Sequence, residues 1–319
     1  MKHSYKTRIM KMETLIRAGL TISFLLALLF AASLKIAFSQ QVMTPVRYYT
    51  FNGSNPSTDS VSSTPLNFTA YGGTVTHTAN GGMVGKYISL STSGGLIDGG
   101  TLNLDTALTI EFLFRSGSNP GNNINNTTFF RRGDGYFDIQ FEYPQFRFRT
   151  YHKSNSGSYV SDEMLVVLDG VGRKSFGYYT DGNLHHLVFR FSGTSGRKEI
   201  WVDGQCPDGF SKSVAAGYFD NPSGNSKTFW ISHMVNYQKI LGDMDELAVY
   251  NRGIPASLIY KHYLQAQQGL PYSFVNDYTG TIPSASPVTA GIDINEFPIG
   301  HPNPTQSATE QLRTYPVPR

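Results

Sequence analysis

Cysteine is almost missing: Cys206 is the only one in 319 residues. A single thiol excludes an internal disulfide framework and any cysteine-based metal site, so stability has to come from an apolar core. Lys/Arg runs are absent beyond the first 17 residues, which argues against a phosphate-tracking surface and against nucleic acid as a partner. Helix-forming stretches are scarce. Only one long apolar run exists, LTISFLLALLFAASL at 20–34, and it follows Lys2, Lys6, Arg8, Lys11 and Arg17 against the single acid Glu13.

A positive start, an apolar stretch and small residues at Ala37 and Ser39 read as a bacterial-looking secretory signal over residues 1–39, cut near Ser39 or Gln40. A retained single-span anchor is the rival reading. Lys35 interrupts the run before about 20 clean apolar residues accumulate, which favours cleavage and leaves no membrane span afterwards. The segment holds six Lys/Arg and one Glu, so of 26 basic and 23 acidic residues, 20 and 22 remain after it. The nominal +3 then becomes −2, and the basic balance belongs to the signal. The expected location is secreted or cell-surface.

What is present is aromatic and turn-rich: 21 Phe, 19 Tyr and 32 Gly. In YFDIQFEYPQFRFRTY (136–151), Phe137, Ile139 and Phe141 alternate with polar residues, and Phe146 and Phe148 resume the pattern after Pro144. Period two on both sides of a short break predicts an antiparallel hairpin with one buried face. LHHLVFRFS and EIWVDG form a second pair, and VRYYTF, KYISL, LTIEFLFR, TFWISH and DELAVYN add further strands. The expected fold is all-β, a two-sheet antiparallel jelly-roll sandwich. One short C-terminal helix is expected in IPASLIYKHYLQAQQ, where Pro255 suits a first turn and Gly269 with Pro271 a stop. The sandwich is placed at 40–270, and the Pro/Ser/Thr-rich stretch 271–319 is taken as a linker or tail.

DGNLHHLVFRFSGTSGRKEIWVDGQ (181–205) and FWISHMVNYQKILGDMDELAVYNRGIPASLIYKHYLQA (229–266) resemble two motifs of the laminin-G-like, concanavalin-A-like lectin-glucanase jelly-roll family. YYTFNGS (48–54) resembles that family's first strand and LTIEFLFR its Thr-Ile-Glu-aromatic strand, so the resemblance covers about residues 45–266. Leu184 stands where members usually have Trp before the histidine pair. The resemblance implies loops presenting a binding surface, and it leaves activity open, because lectins, adhesion modules and glycosidases share this fold. It also implies a structural Ca²⁺, with Asp245 facing outward onto the ion and Asn52 adding oxygen from the first strand; calcium takes 6–8 oxygen ligands.

Tyrosines at strand ends are expected to be exposed and to stack on sugars. Tyr136, Tyr143 and Tyr151 are the candidates, with Tyr159 and Tyr178 similarly placed, and Arg147 and Arg149 share a strand face that can meet an anionic glycan. His185 and His186 are adjacent on a strand, so they point to opposite faces and do not converge on one ion; one is expected buried and the other exposed. Arg132-Gly133-Asp134 is first a turn. The sequons at Asn52, Asn67, Asn125 and Asn126 matter only if the host glycosylates exported chains. TIEFLF, FDIQFEY and GDMDELAVY lack the Glu-x-Asp-x-x-Glu spacing of related glycosidases. The leading expectation is an exported, non-catalytic module that binds a glycan or a surface protein. The alternatives are a polysaccharide-degrading glycosidase or its accessory domain, and a structural spacer without ligand.

Overall fold

The computed structural model describes residues 21–23, 41–68, 75–90, 97–116, 127–133, 135–219, 227–231 and 242–283. Most of residues 1–39, read above as a signal, the sequons at Asn125 and Asn126, Asp134 of the Arg-Gly-Asp stretch and everything after residue 283 lie outside the described residues. In chain order the strands begin with β1 (Gln41–Val42), β2 (Arg47–Tyr49), β3 (Val75–Gly82), β4 (Gly85–Leu90), β5 (Ile97–Thr101) and β6 (Ala107–Ser116). They continue with β7 (Thr127–Arg132), β8 (Phe137–Glu142), β9 (Gln145–Ser154), β10 (Tyr159–Val167), β11 (His185–Ser192) and β12 (Arg197–Val202). β13 (Ser211–Ser213), β14 (Gly217–Tyr218), β15 (Thr228–Ile231), β16 (Gly242–Tyr250) and β17 (Val275–Asn276) follow, with helix α1 (Ala256–Gln267) between the last two. Two short 3-10 turns occupy Gly172–Lys174 and Phe176–Thr180.

The first sheet runs β13-β12-β11-β6-β16-β4-β3, with β2 also pairing β16; the second runs β10-β9-β8-β7-β15-β5, with β14 also pairing β9. All pairings are antiparallel, giving the jelly-roll sandwich expected from the alternation. The hairpin at 136–151 forms as β8 and β9, in the register Phe137↔Thr150 to Glu142↔Gln145. Its phenylalanines are buried, as the period-two pattern requires.

The interior between the sheets is phenylalanine packed on phenylalanine. Phe112 of the first sheet meets Phe129 and Phe130 of the second at 5.3 and 4.9 Å, and Phe189 meets Phe146 and Phe148 edge-on, each at 5.8 Å. Edge-to-face rings add to the burial of their area. Lys198 of β12 also reaches across: its ammonium donates to the carbonyls of Phe148 (3.3 Å) and Asp162 (2.6 Å). Burial pulls this lysine down to about 7, with Asp162 acting in the opposite sense.

The other face of the first sheet is covered as well. α1 starts after Pro255 and lays Leu258, Ile259, His262 and Ala266 against it, the i, i+4 spacing of an apolar helix face. The packed body runs past the boundary that composition places at residue 270: Tyr272 and Asn276 are buried, and β17 pairs with β1. Residues 271–283 therefore belong to the fold; three inward side chains, Tyr272, Asn276 and Ile282, in a proline-flanked stretch leave no periodic pattern in the sequence. Strand β10 was hidden in the sequence for a related reason. Leu165 and Val167 stand on its wet face, so YVSDEMLVV shows no clean alternation of apolar and polar residues. Among the described residues no helix is long and apolar enough to cross a membrane.

Truncating Phe189 to Ala removes a ring that four others touch, and the unfolding free energy in urea is expected to drop by about 3–5 kcal/mol with an unchanged slope. A loss below about 1 kcal/mol would contradict the packing described.

Candidate functional site

Among the described residues the second sheet leaves a broad face open, and its outward residues form three zones. At one end Tyr151 of β9 and Tyr159 of β10 stack with rings 1° from parallel and centroids 5.2 Å apart, at 38% and 48% exposure. The Lys153 ammonium lies 5.0 Å from the Tyr159 ring. The middle zone is a charge ladder. Arg149 stands opposite Asp138 of β8 and Glu163 of β10, and Arg147 opposite Gln140 and Leu165. Leu165 and Val167 make the third zone, and Tyr143 at the β8–β9 turn is exposed too.

Strand alternation places these side chains; hydrogen bonding orients them. Arg149 donates to Asp138 at 2.8 Å, and Gln140 donates to the same oxygen at 3.0 Å. Asp138 is buried, and its second oxygen, Oδ1, has no partner among the described residues. Burial raises its pKa, against the lowering effect of Arg149 and Arg131. Arg147 donates through Nη1 to Gln140 at 3.2 Å and is ion-paired with two carboxylates, Glu142 at 3.0 Å from Nη2 and Glu163 at 2.6 Å from Nε, the latter without hydrogen-bond geometry.

The expected ligand residues are therefore only partly brought together. Tyr151 and Arg149 adjoin on the open face. Arg147 shares that face, but its guanidinium is held by two carboxylates. Tyr143 lies at the far end, edge-on to Phe176 at 4.7 Å. Tyr136 is a correction: it is 3% exposed, with its ring beneath the Arg132 guanidinium and edge-on to Tyr151. A tyrosine at a strand start can turn either way, and here Arg132 draws the ring inward. Arg132 is itself buried, which removes it from any surface tripeptide. Asp138 and Gln140 were missed as parts of this site; their alternation with Phe137, Ile139 and Phe141 was the available signal.

A second cluster sits on the opposite side of the sandwich. Strand β16 carries a bulge where its register against β6 jumps from Asp245 to Ala248, and Glu246 there takes φ 49°. Phe51, in the loop after β2, is also left-handed at φ 56°. Two strained non-glycine residues at one corner point to a constraint worth its conformational energy. Asp245, which the resemblance places facing outward onto an ion, is fully buried, because the turn after β3 closes over it. Its oxygens accept the amides of Val84 (3.1 Å) and Glu246 (2.9 Å). Glu246 accepts from the Tyr48 hydroxyl, the Tyr272 amide (3.4 Å) and the Asn52 carboxamide (3.5 Å). Asn52 reaches Glu246 with its nitrogen, and its oxygen accepts from the Lys86 amide at 2.7 Å.

Among the described residues no Lys, Arg or His forms an ion pair with Asp245 or Glu246. Burial pushes each acid up to about 8, and for Glu246 the neighbouring Asp245 adds to it. The available donors are two carboxylates and a carboxamide, hard oxygens that suit calcium and not zinc. Among the described residues no three His, Cys, Asp or Glu side chains converge as a metal set, so carbonyls would have to complete a calcium shell.

Both members of the histidine pair are buried, on opposite faces as expected; the exposure expected for one of them is not seen. His185 is held by Asp203 (2.9 Å) and Asp181 (3.1 Å). Burial alone would lower its pKa, but these two acids raise it. His186 bonds Glu111 at 2.8 Å, and His262 of α1 bonds the other oxygen at 2.9 Å. Burial would raise Glu111, yet the two imidazoles hold it at about 2.

The fold has counterparts of low sequence identity. It is similar to domain 4 of AbnA, a GH43 extracellular arabinanase from Geobacillus stearothermophilus solved with arabinotriose: 17% identity, TM-score 0.47, 69% of this chain and 98% of that one. It is also similar to the binding domain of Paraclostridial Mosquitocidal Protein 1 (17%, TM-score 0.47, 72% and 52%). The binding domain of botulinum neurotoxin serotype G matches at 13% identity and TM-score 0.50, over 69% of this chain and 51% of that one. This chain spans about half the length of the last two. At these identities the likeness is one of fold. No protein-family model matches the chain, and no curated protein does either.

The acid pair has a pH signature. Each carboxyl rises from its ordinary value, 3.8 or 4.5, to about 8 on folding, so between those limits the folded chain binds more protons than the unfolded one. In EDTA, stability is therefore expected to fall as pH rises from about 4 to about 8. Glu246→Gln is expected to flatten that slope, whereas Lys198, which acts in the opposite sense above pH 7, is common to both proteins and cancels. Identical slopes in urea titrations of the two would contradict the buried pair.

Proposed function

We propose that this chain is an exported, non-catalytic recognition module of the laminin-G-like, concanavalin-A-like kind. It binds carbohydrate on the open face of its second sheet and holds a structural calcium at the Asp245–Glu246 corner. The observation that carries the binding role is the exposed Tyr151–Tyr159 stack beside Arg149 and Asp138. Aromatic faces take up the apolar side of a sugar ring, and adjacent charged donors and acceptors fix its hydroxyls. The serotype G neurotoxin domain is itself a binding domain, which accords with this role without specifying a ligand.

Recognition is preferred to hydrolysis because of where the outward acids stand. Asp138 and Glu142 are four residues apart on one strand, about 13 Å at the usual rise, well beyond the separation of a glycosidase pair. Asp138 and Glu163 lie two strands apart with Arg149 between them. The calcium reading rests on two adjoining buried carboxylates that no basic side chain neutralises among the described residues. Asp245 is the principal ligand of this reading, with Glu246 and Asn52 beside it.

Two measurements test these roles. Calcium is expected to raise the melting temperature of the native chain, more at pH 8 than at pH 5 because the ion competes with protons. At 100-fold excess over Kd the gain is about 2.7 kcal/mol, and Asp245→Asn is expected to lose most of it. An unchanged melting curve with and without EDTA removes the ion from this proposal. On a glycan array the full chain is expected to retain at least one class of oligosaccharide, and Tyr151→Ala with Tyr159→Ala to lose it. Silence across the array removes the carbohydrate role.

A further inference from the structure

The open face is electrically closed, and that narrows the ligand. We infer that the sugar it takes is neutral, recognised through hydroxyl groups, and that acidic polysaccharides are rejected; this rests on the carbohydrate-binding reading above. Among the described residues the outward positions of these strands carry four cations, Arg131, Arg147, Arg149 and Lys153, and four acids, Asp98, Asp138, Glu142 and Glu163. The pairings interleave them. Arg131 lies opposite Asp138 and Trp230, and Trp230 opposite Asp98. Arg147 is held between Glu142 and Glu163, and Arg149 by Asp138. A sugar carboxylate or sulfate approaching Arg147 would have to displace two carboxylates already in contact, and approaching Arg149 it would meet the charge of Asp138. Neither arginine is the anion receptor that the sequence alone makes it.

What the face offers is hydrogen bonding beside an apolar platform. Arg149 donates one hydrogen bond, through Nη2, and its side chain is 42% exposed. Asp138 Oδ1 is a buried acceptor with no partner among the described residues. Ser161 stands opposite Tyr151 and is exposed. The Arg149 guanidinium and the Ser161 hydroxyl thus flank the tyrosine stack, an arrangement that matches two neighbouring hydroxyls of a ring lying on Tyr151, while the buried Asp138 fixes Arg149 from beneath. Such contacts are short-ranged and uncharged on the ligand side, so binding does not depend on long-range attraction.

The test uses the full chain in affinity electrophoresis against neutral polymers (arabinan, xylan, a mixed-linkage glucan) and acidic ones (polygalacturonate, alginate), at 50 and 500 mM NaCl. At least one neutral polymer is expected to retard the native chain, with less than a twofold change between the two salts, and the acidic polymers to bind at least tenfold more weakly. Tyr151→Ala and Arg149→Ala are each expected to weaken retardation at least tenfold, Tyr151→Ala with little change in melting and Arg149→Ala with a lowered melting temperature, because it leaves the buried Asp138 without its ion-pair partner. Glu142→Gln combined with Glu163→Gln frees Arg147 and is expected to create retardation by polygalacturonate that high salt abolishes. Tighter, salt-sensitive binding of acidic polymers by the native chain would overturn the inference while leaving carbohydrate recognition standing. No retardation by either class would remove carbohydrate recognition itself, and this inference with it.

Discussion

Among the described residues the central strands of the first sheet, β11, β6 and β16, are buried on both faces, and much of the molecule follows from that constraint. One side packs phenylalanine against the second sheet; the other is covered by α1 and the segment ending in β17. Strands β6, β11 and β16 nevertheless carry ionisable side chains on the helix-covered side, among them Glu111, His186, Arg190 and Asp245, all at most 1% exposed. Water cannot solvate them, and an unpaired buried charge is costly. Most are satisfied within the fold. Glu111 lies between His186 and His262, so the helix is joined to the sheet through one carboxylate. Arg190 binds Glu199 at 3.1 Å and the carbonyl of Ile254, just before α1. Asp245 and Glu246 depart from this rule, and their elevated pKa values follow from it.

The second sheet meets the opposite condition. Its outer face is wet, so charged residues there gain little from pairing. The interleaving of arginine and carboxylate then matters mainly for orientation and for the field a ligand meets. The tyrosine stack lies at the end of that ladder, where β9 and β10 run past the edge of β8. Recognition is thereby separated from the acid corner, which lies on the far side of the first sheet, so the proposed ion supports the fold and does not touch the proposed ligand.

Several features were legible because they depend on local alternation. Phe137, Phe141, Phe146 and Phe148 had to share one face, Met244 had to point inward beside Asp245, and Pro255 had to precede a helix. Others depended on what arrives from far away in the chain. The direction of Asp245 was readable, but its burial was not, since the covering turn lies some 160 residues earlier. Glu246 was unreadable for a sharper reason: a bulge breaks the period of two, and its position in DMDELAVY has no sequence mark. Tyr136 looked like Tyr151 because both flank apolar alternation, and only the position of Arg132 separates them.

By itself, the sequence determined that this chain forms short antiparallel strands around an aromatic interior, because residue spacing fixes which side chains share a face and one cysteine permits no covalent frame. The tertiary structure decided which polar residues meet water, which are sealed under α1, and which arginines remain available. Those outcomes depend on the approach of segments distant in sequence, and burial and charge pairing are properties of that approach.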